Sequence, residues 1–117
     1  MKKSLKFALE GIIEAFRHNI NFRRQVLVGV SVMLVGFVLG LAMAEWVALV
    51  IVIGLVLMAE LINTAVEEVV NLVTRERRQE AKIAKDVSAG MVLLAAVISM
   101  VVGLFIFIPY LIDFAAS

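Results

Sequence analysis

A chain of 117 residues that is 63% hydrophobic, with a mean hydropathy of +1.07, reads as one membrane-embedded domain rather than a small soluble one. A net charge of +1 exerts no global pull on nucleic acid, and no aromatic-and-basic nucleic-acid motif is present. The absence of cysteine excludes disulfides and thiolate metal sites, and the single histidine, His18, excludes a histidine-rich metal site within one chain. No glycine-rich phosphate loop, dinucleotide fingerprint or nucleophile elbow occurs, so chemistry falls to carboxylates, amides, lysines and arginines.

In residues 4–25, Leu5, Ala8, Leu9, Ile12, Ile13, Phe16 and Ile20 recur at helical spacing, with Lys6, Glu10, Glu14 and Arg17 opposite. This predicts an amphipathic helix lying in the membrane interface. Residues 26–44 carry no charge and are long enough to span a bilayer once. Ala42-Met43-Ala44 has the form of a signal-peptidase site, but the region before it is too long and too amphipathic for a signal peptide. Gly36-Phe37-Val38-Leu39-Gly40 is a G-x-x-x-G, which permits close helix approach.

Glu45-Trp46 is the only polar break before a second apolar run, so the first two spans are expected to form a tight hairpin turning there. The second span, 46–73, is longer than a bilayer requires, and its last turns reach toward the far interface. Residues 74–86 (TRERRQEAKIAKD) read as a charged loop. Residues 87–112 read as a third span, with Ser88, Ala89, Gly90, Ala95 and Ala96 as a small-residue packing surface and Pro109-Tyr110 near its end.

The second span ends in a polar stripe. Glu60, Asn63, Thr64, Glu67 and Asn71 lie at spacings that share one helix face, with Glu60 and Glu67 about 10 Å apart along the axis. A carboxylate inside an apolar span is a functional-site hypothesis in its own right. All 11 Lys and Arg lie in residues 2–24 or 75–85, so the positive-inside rule puts the N-terminus and the 74–86 loop in the cytoplasm. The stripe then meets the cytoplasmic interface opposite Lys82, Lys85 and Asp86.

That combination suits phosphoryl transfer, which needs a carboxylate-held metal, cations on phosphate oxygens and a base for the attacking hydroxyl. Glu67 suits the metal, Lys85 the phosphates and Glu60 the base. Three blander readings compete. Glu60 as a structural polar residue, Glu67 and Glu68 as a solvated helix end, and the basic segment as a topology signal would each explain one feature alone. A small oligomeric channel with Glu60 as an ion or proton site is the rival from another class; it has no need of Lys85-Asp86.

Glu60-Leu-Ile-Asn63-Thr-Ala-Val-Glu67-Glu-Val-Val-Asn71, followed by Ala81-Lys-Ile-Ala-Lys85-Asp86, resembles the signature of the prokaryotic diacylglycerol kinase/undecaprenol kinase family, over nearly the whole chain. Glu45-Trp46 and Gly103-Leu-Phe-Ile-Phe-Ile-Pro109 are more similar to the undecaprenol-kinase branch. The resemblance implies an all-α membrane protein, with a surface helix and three transmembrane helices per subunit, assembled as a homotrimer in the bacterial cytoplasmic membrane with active sites shared between neighbours. It implies transfer from MgATP to a membrane lipid alcohol, undecaprenol first and diacylglycerol second. Glu60 matches the base, Asn63 a catalytic-site amide, and Glu67 a magnesium ligand. Lys85, Asp86 and Glu76 match nucleotide-binding positions. Asn19 stands where a second metal-binding glutamate is usual, as an oxygen donor without the charge; Glu14 is close in sequence but about 140° round the helix, a poor replacement. Asn71 stands where one branch has aspartate, Arg78 where many members have histidine and Gln79 where the undecaprenol-kinase branch has proline, with Arg78 kept as a nucleotide contact.

Overall fold

The computed structural model describes all 117 residues and holds four helices and no strand: α1 (Lys2–His18), α2 (Ile20–Leu39), α3 (Met43–Val73) and α4 (Gln79–Ala116). Three of them, α2, α3 and α4, are long and apolar enough to cross a membrane.

The helix expected over 4–25 is broken at Asn19, whose backbone is extended (φ −112°, ψ 104°), and residues 20–25 belong to α2. Side chains make the break. Asn19 Oδ1 accepts from the Phe22 N–H at 3.1 Å and so caps α2. Arg23 reaches back, its Nη1 donating to the Phe16 and Arg17 carbonyls at 2.9 and 2.7 Å, which satisfies two orphan groups at the end of α1. Phe22 is buried beneath the junction. The apolar repeat of α1 reaches Ile20, one residue past the break, so hydrophobic patterning does not mark the helix end at Asn19.

The hairpin also turns earlier than expected, at 40–42 rather than at Glu45-Trp46. Gly40 adopts the left-handed conformation (φ 71°, ψ 56°), and its N–H donates to Gly36 O at 3.0 Å. Gly36 is needed for space: a Cβ there would lie 2.9 Å from Leu41 Cδ1 and 3.0 Å from Trp46 Cη2. The G-x-x-x-G pair thus builds the turn inside one chain. Glu45 falls in the first turn of α3, where its Oε1 accepts from the Ala42 N–H at 2.9 Å and from the Tyr110 hydroxyl of α4.

At the other end only residues 74–78 are non-helical, and Gln79–Asp86, expected as loop, form the first turns of α4. Glu, Ala, Lys and Gln are good helix formers, and their charge alone suggested a loop. With 31 residues α3 is about 46 Å long, and with 38 residues α4 is about 57 Å, against about 30 Å of hydrocarbon. Both helices therefore carry polar turns beyond the apolar layer.

The central helix is α3. It runs antiparallel to α4 along a seam in which Leu49 meets Ile106 and Val56 and Ala59 meet Ala95, while α2 packs on its other flank. Only 13 of 117 residues are buried, so the apolar flanks of the three long helices face outward, as those of lipid-embedded helices do. An alanine at Gly40 must hold a left-handed backbone, at about 1–2 kcal/mol. Chemical denaturation of Gly40→Ala in detergent micelles, followed by circular dichroism, should show a loss of that size.

Candidate active site

Glu60 lies on α3 about 21 Å beyond Trp46, and Glu67 about 31 Å beyond it. Across about 30 Å of hydrocarbon this puts Glu60 within the apolar layer and Glu67 at its edge. Glu60 is only 4% exposed, level with the Val56–Ala59–Ala95 packing, and Glu67 is exposed. A lone charged carboxylate at that depth costs several kcal/mol unless it is paired, hydrogen-bonded or protonated, so its presence there points to a functional role.

One turn above Glu60 a short chain of hydrogen bonds joins the surface-helix junction to α3. Asn19 Nδ2 donates to Thr64 Oγ1 at 2.5 Å, and Thr64 Oγ1 donates to the Glu60 carbonyl at 2.9 Å. Asn63 Nδ2 approaches Glu67 Oε1 at 3.4 Å, a long contact, while Asn63 Oδ1 is shut off from solvent and has no partner. Together α1 and α3 wall a cleft of about 590 Å³ lined by Glu14, His18, Asn19, Asn63, Thr64, Glu67 and Glu68, among others. The structure therefore brings Asn19, Asn63 and Glu67 together and leaves Glu60 buried below them.

Glu14 corrects the sequence reading. Along one helix running to residue 25 Glu14 would lie about 140° from Asn19 and away from it, but the bend at Asn19 lays α1 against α3 so that both residues line one cleft. Glu14 lines the same cleft as Glu67, with its Oε1 2.9 Å from His18 Nδ1. Glu14 and His18 carried no sequence signal as site residues, because each sits on the polar face of an ordinary amphipathic helix. Thr64 was visible in the stripe, but without a role.

The basic residues lie elsewhere. Arg78, Glu76, Lys82, Lys85 and Asp86 line a second cleft of about 470 Å³, with Arg75 and Arg77. Lys85 Nζ donates to Asn71 Oδ1 at 2.8 Å, Lys82 pairs with Asp86 at 2.6 Å, and Arg78 with Glu76 at 3.2 Å. The hydrogen bond and charge of Asp86 hold the Lys82 ammonium above its ordinary range. No residue lines both clefts. The face expected to gather all these groups is divided, with Asn63, Thr64 and Glu67 in the acidic cleft and Asn71 committed to Lys85.

No three Asp, Glu or His side chains converge into a ready-made metal cage. The acidic cleft nevertheless offers mostly oxygen, from its carboxylates and amides and including the unpartnered Asn63 Oδ1, with His18 as its one imidazole. That donor set fits a hard divalent cation that keeps waters and substrate oxygens in its shell.

Comparison with known proteins gives this layout a class. The sequence profile described as prokaryotic diacylglycerol kinase matches residues 6–107. The chain is similar to the undecaprenol kinase of Bacillus subtilis (strain 168), at 40% identity over 109 residues that cover 93% of this chain and 89% of that one. It is similar to the diacylglycerol kinase of Synechocystis sp., at 39% over 111 residues covering 94% and 63% of the two chains. The diacylglycerol kinase of Pseudomonas aeruginosa shares 36% over 84 residues, 72% of this chain and 68% of that one. The protein is a membrane lipid kinase, which sets aside the non-enzymatic channel. It belongs to the prokaryotic diacylglycerol kinase family.

Replacing Asn19 by alanine removes the α2 cap, at about 1 kcal/mol, together with the link to Thr64. Trypsin should then cut after Arg17 several-fold faster than in the unaltered protein, read by mass spectrometry of the fragments. An unchanged rate would mean that the junction is held without Asn19.

Proposed function

We propose that the protein transfers the γ-phosphoryl group of MgATP to the hydroxyl of a membrane lipid alcohol at the cytoplasmic face of the bacterial inner membrane. The observation that carries this reading is Glu60: a carboxylate 4% exposed within the apolar layer, one turn beneath an oxygen-lined cleft that opens at the interface. A lipid hydroxyl arrives from the bilayer side and a nucleotide from the water side, and those two routes meet there.

Glu60 takes the proton of the lipid hydroxyl as its oxygen attacks the γ-phosphorus in line. The bond from that phosphorus to the ADP bridging oxygen breaks, leaving lipid phosphate and ADP. Asn63 orients the reacting groups between the two carboxylates. Glu67 holds the metal, with Asn19 beside it at the junction. Magnesium held by Glu67 and Asn19 would offset the negative charge of the phosphate oxygens. Lys85 contacts the phosphates, with Asp86, Glu76 and Arg78 around the nucleotide.

Within one chain the acidic and basic clefts share no residue, and Lys85 is held by Asn71. This supports a site shared between subunits, the acidic cleft of one working with the basic cleft of its neighbour, within the homotrimer that the family resemblance implies. Undecaprenol is the preferred acceptor, since the relative named for it aligns over 89% of its own length at 40% identity; diacylglycerol is the second.

Transfer of labelled phosphate from ATP into undecaprenol and diacylglycerol, side by side in mixed micelles, tests the reading. Label should enter undecaprenol faster, and label in neither lipid would refute the proposal. Glu60→Gln should lower turnover by about 10²–10⁴-fold with the oligomeric state unchanged. Glu67→Gln should raise the magnesium concentration for half-maximal rate by on the order of tenfold or more. A magnesium dependence equal to that of the unaltered protein would leave Glu67 a solvated helix end.

A further inference from the structure

On the surface-helix side, the acidic cleft presents Glu14, Asn19 and Asn21 as oxygen-bearing side chains across from Glu67, and of these only Glu14 is a carboxylate. Their states differ. The amide of Asn19 is committed at both ends, its oxygen to the Phe22 N–H and its nitrogen to Thr64 Oγ1, and these bonds hold the α1–α2 break and tie it to α3. Turning that amide toward a metal would release a helix cap. Glu14 has no structural duty. Its side chain is 70% exposed, and its one side-chain partner is His18, one turn on and equally exposed. An exposed ion pair of that kind is worth little and is readily exchanged.

Charge points the same way. A magnesium-bound nucleotide is held by one or two carboxylates together with its phosphates. Across this cleft Glu67 supplies one carboxylate from α3, and its neighbour Glu68 stands on that same wall. Glu14 is the carboxylate on the opposite wall, brought there by the bend at Asn19.

We infer that Glu14 is a second carboxylate ligand of the nucleotide-bound divalent cation, facing Glu67 across the cleft, with Asn19 as the positioning residue that sets the bend. The inference rests on the proposed function and adds a residue to it. His18 is then the resting partner of Glu14, displaced when the cation binds.

Manganese(II), which is paramagnetic, reports binding without turnover. The full-length protein in micelles is titrated with manganese(II) and a β,γ-methylene analogue of ATP, and free ion is read by electron paramagnetic resonance. Glu14→Gln should weaken manganese binding about tenfold. Glu10→Gln, one turn earlier on α1 and outside the cleft, should leave it unchanged. Helix content by circular dichroism should be the same in all three proteins, because Glu14 is exposed. If Glu14→Gln binds manganese as tightly as the unaltered protein while Glu67→Gln does not, Glu14 is not a ligand and the kinase reading stands. If the unaltered protein binds no manganese with the analogue, the metal part of the proposed function falls and this inference with it.

Discussion

The structure depends on the antiparallel seam between α3 and α4, fixed by a polar link at each end. Lipid gives apolar helices little reason to prefer one another, so van der Waals packing and a few hydrogen bonds decide the register. Here Tyr110 donates to Glu45 near the start of α3, and Lys85 donates to Asn71 near its end. Between them Leu49 meets Ile106 and Ala59 meets Ala95, so each step along one helix is matched by a step back along the other. A one-residue slip would break both polar links at once. The bond from Glu45 to the Ala42 N–H extends this control to the hairpin turn, and so to α2.

With α3 held in this way, the placement of the functional groups follows. The helix carries Glu60 into the apolar layer and Glu67 to its rim, and turns Asn71 toward the basic first turns of α4. The bend at Asn19 lays α1 against the opposite side, where Thr64 receives it. Acidic and basic groups thus lie on different flanks of one helix. Glu67 and Lys85 line separate clefts, so they do not neutralise each other. The pairs Lys82–Asp86 and Arg78–Glu76 are local and exposed, and each costs little to open.

Much of this was legible in the sequence, for identifiable reasons. Hydropathy showed three long apolar segments, because apolar side chains in lipid need no alternation. The stripe from Glu60 to Asn71 was visible because polar residues in an apolar helix stand out at any spacing. What escaped was set by individual side chains rather than by pattern. The caps at Asn19 and Arg23 break a helix whose hydrophobic repeat runs past the break to Ile20. Gly36 and Gly40 were read as a helix-contact motif, although the same spacing builds a left-handed turn. Residues 79–86 looked like loop because of their charge, although their helix propensity is high. The cleft shared by Glu14 and Glu67 is made by the packing of α1 on α3, which no local signal shows.

The unbroken course of α3 from Met43 to Val73 has a further consequence. Glu60 and Glu67 are spaced by helical rise alone, with no loop between them to absorb a change in chain length. Inserting or deleting one residue between them would rotate one carboxylate by about 100° relative to the other and move it about 1.5 Å along the axis. The five-residue link 74–78 could take the same change with little effect on either flanking helix. Tolerance to changes in length is therefore divided sharply along this chain. Its connecting segment is free to drift in length, while the interval between its two principal carboxylates is a fixed ruler set by helix geometry.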